Sequence, residues 1–262
     1  MVGMLIQVQG IPEDDAVQKS RMKSFADLIG SNLEPPAVII EDVLSVGVNL
    51  LFARQNKGKT WMALQITDSV TSGRSFLGRN VVKTGRVLFY CLEDGERNLK
   101  QRLGLQWASG SNPQNALYSD DLNTANLGGF EELEREIQVH RPVLVVIDNL
   151  LAFLGHGVID TNRASLMSQY MMRFRKLVRD HDVAFLLVHH GKKPTKDVSE
   201  EGPENALGST ALSALCDTRM QIHSPDHEPI LETWSKVFRN QRIPMAFDRE
   251  RFLWRKRHHD GE

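Results

Sequence analysis

Four apolar runs limit what this chain can become: Leu50-Leu51-Phe52-Ala53, Arg86–Leu92 (RVLFYCL), Pro142–Asp148 (PVLVVID) and Val183–His190 (VAFLLVHH). None alternates polar with apolar. Strands of this kind are covered on both faces, as in a parallel sheet packed between helices. The intervening segments supply those helices. Residues 59–72 place Met62, Ala63, Leu64 and Ile66 on one side, and residues 95–107 place Leu99, Leu103 and Trp107 at helical spacing. Further helices are expected near 129–140 and at 164–180. Beyond Gly208 the runs shorten and alternate: Thr218–His223, Ile230–Val237 and Met245–Trp254. They are expected to be antiparallel edge strands. The predicted fold class is α/β, a mostly parallel twisted sheet flanked by helices, with antiparallel C-terminal strands.

Residues 1–35 stand apart as an N-terminal extension. Gln18–Ile29 has helical spacing at Met22, Phe25 and Ile29, and Pro35-Pro36 then breaks the chain before a short strand at Val38-Ile39-Ile40. Residues 36–262 read as one domain, a length that allows a sizeable core. The formal net charge is −1, so only local patches could favour nucleic acid. Cys91 and Cys216 lie in apolar segments and fit neither a disulfide framework nor metal-ligand spacing. No apolar run approaches the roughly 18 residues a membrane-spanning helix needs. The apolar N-terminus lacks a basic region and a cleavage site, so no secretory signal is expected and a cytoplasmic protein follows.

In parallel sheets ligands bind beyond the carboxyl ends of the strands, and here every run ends in polar chemistry. The first run passes through Arg54, Gln55, Asn56 and Lys57 into Gly58-Lys59-Thr60-Trp61 at a helix start. Strand, loop, Gly-Lys-Thr and helix are the parts of a phosphate-binding P-loop. Loop N–H groups and the helix N-terminus attract phosphate, Lys59 reaches the β- and γ-phosphates, and the Thr60 hydroxyl holds Mg²⁺. Ala53 stands where the motif has its first Gly. Asp148, at the end of VLVVID, has the Walker B position and a metal-holding role. Glu93 is favoured over Asp94 as the carboxylate that orients an attacking water. Of His189 and His190, His190 is favoured as the γ-phosphate sensor. Residues 191–207 form a long polar loop in which Lys192, Lys193 and Lys196 offer contacts to nucleic-acid phosphates, offset by Glu200, Glu201 and Glu204. Arg219, and Lys236 with Arg239 at a strand end, are candidates for an arginine finger serving a neighbouring subunit.

The order P-loop, Glu93-Asp94 with Arg102-Leu103, VIDNL, HHGK, GSTAL and SK..RN resembles the RepA-like hexameric helicase ATPases of the RecA-like P-loop group over about residues 38–240. The resemblance implies a RecA-like P-loop NTPase core, with ATP at the interfaces of a homo-oligomeric, usually six-membered ring and single-stranded DNA in its channel. It assigns Lys59 and Thr60 to phosphate and Mg²⁺, Glu93 to the attacking water, Asp148 to Mg²⁺ and His190 to the γ-phosphate. Arg219 falls near the finger position, and Lys236 and Arg239 match the related cations. Ala53 departs from the family pattern, as does Leu207, where an Arg is common. The function implied is an ATP-hydrolysing motor of plasmid or phage replication. The alternative is a RecA-like ATPase switch or loader, acting on a protein partner or in recombination or repair without unwinding.

Overall fold

The computed structural model describes residues 22–35, 37–155, 164–191 and 210–257. The chain separates into two units, Met1–Pro35 and Pro36–Glu262. In the first, α1 (Phe25–Ile29) begins at a capping box. The Ser24 hydroxyl accepts from the Asp27 N–H at 3.0 Å, and the Asp27 carboxylate accepts from the Ser24 backbone N–H. None of its side chains is buried. The part of the expected helix before residue 22 lies outside the described residues.

In the second unit, β1 (Val38–Ile40) and β2 (Leu44–Ser45) form a small antiparallel pair. There follow β3 (Gly47–Ala53), α2 (Lys59–Ser72), β4 (Val87–Cys91), α3 (Gly95–Gln106), β5 (Ala116–Ser119), α4 (Gly129–His140), β6 (Leu144–Asp148) and α5 (Leu150–Leu154). The chain continues through α6 (Ala164–His181), β7 (Ala184–His190), α7 (Thr210–Leu215), β8 (Thr218–His223), β9 (Ile230–Ser235), β10 (Gln241–Asp248) and β11 (Leu253–Lys256). Among the described residues, nine strands form one sheet in the order β11-β10-β9-β8-β3-β7-β6-β4-β5. From β8 to β5 every pairing is parallel, and β9, β10 and β11 add on antiparallel. This is the RecA-like α/β architecture.

The central strands are buried on both faces because their side chains feed two separate cores. Leu51, Val146, Leu186 and Val188 pack with Met62, Ala63 and Val70 of α2. Leu50, Phe52, Val145 and Leu187 point the other way, into a core shared with α4, α5 and α6. There Phe130, Phe153, Phe174 and Phe185 form a chain of edge-to-face and tilted rings, with Phe130 and Phe174 centred 4.8 Å apart. Each large side chain buried this way contributes about 1.5–3 kcal/mol. The polar groups of α2 bond locally, as in Thr67 Oγ1 donating to the Ala63 carbonyl at 2.9 Å.

Two elements differ from expectation. β8 is an interior strand parallel to β3, so the antiparallel part begins only at β9. Met245–Trp254 is no single strand but most of the β10–β11 hairpin.

Candidate functional site

β3, β4, β6 and β7 run parallel and in register, so their carboxyl ends arrive together. Ala53 lies beside His190, and Cys91 beside Asp148. Past these ends opens a cavity of about 500 Å³. Gln55 to Trp61, Glu93, Asp94, Asp148 and His190 all line it.

The P-loop turns without a Gly at its first position. Ala53 stays in strand geometry, fully enclosed, and its carbonyl accepts the Gly191 N–H at 2.7 Å. The left-handed positions come later, at Asn56 (φ 60°) and Gly58 (φ 78°). At Gly58 an added Cβ would stand 2.9 Å from the Trp254 ring, so both backbone and space require glycine. Lys59 opens α2 and is 8% exposed. Its ammonium donates to the carbonyls of Ala53 (3.2 Å) and Arg54 (3.0 Å). Burial lowers its pKa, and the negative charges of Asp148 and Glu93 act against that shift.

Asp148 is 5% exposed and accepts a hydrogen bond from the Thr60 hydroxyl. Burial pushes its carboxyl up to about 6. The Thr60 bond opposes the shift, Glu93 and Asp94 add to it, and Arg102 opposes it again. A carboxylate held so reluctantly, with a hydroxyl oxygen against it, is a pair of hard donors suited to Mg²⁺. That ion uses one or two protein oxygens and takes the rest of its shell from phosphates and water.

Glu93 follows β4 in a turn, and Asn149 fixes its position. The Asn149 amide donates to the Glu93 carboxylate, while its carbonyl oxygen caps α5 by accepting the Ala152 N–H at 3.0 Å. Leu92 N–H donates to the Asp148 carbonyl at 2.7 Å, tying the two strand ends together. Asp94 is engaged differently, in a 2.5 Å ion pair with Arg102. Of the two histidines, His190 lines the cavity and His189 is fully buried.

Arg219 and Arg239 do not line this cavity. Arg219 lies three residues before Ile222, towards the start of β8, and Arg239 lies in the turn from β9 to β10. That turn sits at the same end of the sheet, since Ser235 pairs with Thr218. Lys192, Lys193, Lys196 and Leu207 lie outside the described residues. Arg102 and Arg249 also line the cavity. Asn149, Phe247 and Trp254 escape sequence reasoning as contributors. An Asn immediately before an apolar helical run is a readable cap signal, whereas nothing local marks the other two.

The chain belongs to the AAA domain family, whose model matches residues 16–196. Among solved structures it is similar to one described as the ATPase domain of another protein. The TM-score is 0.62 at 17% identity, over 81% of this chain and 85% of that one, a likeness of fold. A search of curated proteins finds no match. The chain thus carries an AAA-type ATPase domain with a P-loop in a RecA-like sheet. Among the described residues no helix is long and apolar enough to cross a membrane.

Proposed function

We propose that the chain is an ATP-hydrolysing motor that assembles into a ring, of six subunits as in the RepA-like helicases it resembles, and moves along single-stranded DNA in plasmid or phage replication. Residues 36–262 form its ATPase domain and residues 1–35 an extension. The observation that carries this reading is the convergence of Lys59, Thr60, Glu93, Asp148 and His190 on one cavity. Arg54 to Trp61 cradle the triphosphate, with backbone N–H groups and the start of α2 facing it. Lys59 exchanges its loop carbonyls for phosphate oxygens. Thr60 and Asp148 hold Mg²⁺, which neutralises phosphate charge when bound. Glu93, oriented by Asn149, accepts the proton of the attacking water. His190 hydrogen-bonds the γ-phosphate and links it to the segment that follows β7. Arg219 or Arg239, remote from the cavity of their own subunit, serve a neighbour's.

ATP turnover with and without single-stranded DNA, beside Lys59→Ala, tests the reading. Turnover should rise with DNA, and the variant should lose about 10²–10³-fold. A wild-type chain that binds no nucleotide would end it. Strand displacement on a forked duplex separates motor from switch: an intact ATPase that neither binds nor unwinds DNA is a switch or loader.

A further inference from the structure

A second cavity, of about 480 Å³, lies between strands β4 and β5 at the sheet edge and helix α4. It shares no lining residue with the P-loop cavity. Its floor is apolar, with Leu88 and Leu117 on the sheet face that packs towards α4. Its rim is acidic. Glu132, Glu136 and His140 follow one another a turn apart along α4, and Asp121 stands just past β5. Among the described residues no Lys or Arg lines this cavity, and neither Asp121 nor Glu132 makes an ion pair. Glu136 is paired with His140 alone, at 3.3 Å. Asn123 holds one Glu132 oxygen through its backbone N–H (3.1 Å) and its amide (2.8 Å), which leaves the other oxygen for a ligand.

Beneath this rim sits Tyr90, the last residue but one of β4 and only 5% exposed. It lines the cavity, and its hydroxyl makes no hydrogen bond among the described residues. A buried hydroxyl left so is unfavourable, and a ligand that bonds to it gains accordingly. Burial, then the charges of Glu136 and Glu132, push its pKa up, so the phenol stays neutral and accepts as well as donates. Among the described residues no three His, Cys, Asp or Glu side chains group so as to hold a metal ion. The charge here is spread along an apolar floor instead. We propose that this cavity binds an aliphatic polyamine. The methylene chain lies along Leu88 and Leu117, one ammonium group donates to the Tyr90 hydroxyl and Glu136, and the others meet Glu132 and Asp121. Three carboxylates with one imidazole between them call for more than one positive charge, which a single lysine side chain of a partner would not supply.

The test is calorimetric titration of the full chain, without nucleotide and in about 0.15 M salt, with spermidine, putrescine, n-butylamine and magnesium chloride. Spermidine should bind at one site, putrescine about tenfold more weakly, and n-butylamine more weakly still. Magnesium chloride at matched ionic strength should not displace spermidine. Tyr90→Phe, which keeps the ring, and Glu136→Gln should each weaken spermidine about tenfold. Asp121→Asn, at an exposed position that folding does not depend on, should weaken it about threefold. Butylamine binding as tightly as spermidine overturns the polyamine assignment in favour of a single ammonium, as on a partner's lysine. Displacement by magnesium, folded variants that all bind like wild type, or no spermidine binding overturns the site itself.

Discussion

At Asp148, burial and neighbouring charge set function against stability. The folded chain holds this carboxyl at about 6, above the ordinary value of 3.8, so it takes up a proton more readily than the unfolded chain does. Unfolding free energy therefore falls as pH rises between these two values and levels off above them. The ionised carboxylate costs about 3 kcal/mol by this route. Asp148→Asn, which keeps an acceptor for Thr60, is expected to be more stable than wild type in urea at about pH 7.5 without Mg²⁺ or nucleotide. The gap should close towards about pH 4, while ATP turnover is lost. A gap that does not change with pH would show that burial of this charge is not its source. Much of the cavity's lining is legible in the sequence. Lys59, Thr60, Glu93, Asp148 and His190 each follow an apolar run, and parallel pairing then carries them to one place. Phe247, Arg249 and Trp254 are not legible, because they reach the cavity from far along the chain through the pairing order of the last strands.

Among the elements, the hairpin of β10 and β11 is the one the sequence hides. Its turn, Arg249-Glu250-Arg251-Phe252, has neither Gly nor Asn, and Phe252 itself takes the positive φ of 52°. The usual turn chemistry is missing, so an alternating pattern runs straight through it. β5 escapes notice for another reason: ALYS is short and only half covered at the sheet edge. The long helices announce themselves by spacing, and α2 and α4 begin and end where their periodicity does. The hairpin is pinned from α3, where the buried Gln106 amide donates to the carbonyls of Trp61 (2.8 Å) and Phe252 (2.9 Å). Trp61 and Phe252 also stack, 4.6 Å apart, with the Arg102 guanidinium 5.1 Å from the Trp61 ring centre. Gln106→Ala leaves both carbonyls without that donor and should cost about 1–3 kcal/mol. Amide hydrogen exchange should quicken at Leu253–Lys256 more than in β6. Equal exchange in the two strands would show that the hairpin is held by its rings alone.

For the whole molecule, the sheet separates two sets of cations. Lys59, Arg102 and Arg249 stand at the P-loop cavity, while Arg219 and Arg239 lie towards the opposite end of the strands. In the ring proposed above, that opposite end would meet the next subunit's nucleotide. Light scattering with an ATP analogue and Mg²⁺ should therefore show assembly, and a persistent monomer would refute it. Arg239→Ala should bind nucleotide normally yet lose about 10³-fold or more in turnover. Mixing it with Lys59→Ala should restore part of the rate, because each variant supplies what the other lacks. No recovery in mixed rings would place Arg239 outside the neighbour's site. The contact between Trp254 and Gly58 has one more consequence. An indole leaning on the bend of the P-loop, with its N–H on that loop's own carbonyl, is a built-in chromophore on the edge of the cavity that this loop lines. The chain thus carries its own optical gauge of loading, one that Trp254→Phe would silence while the other three tryptophans keep glowing.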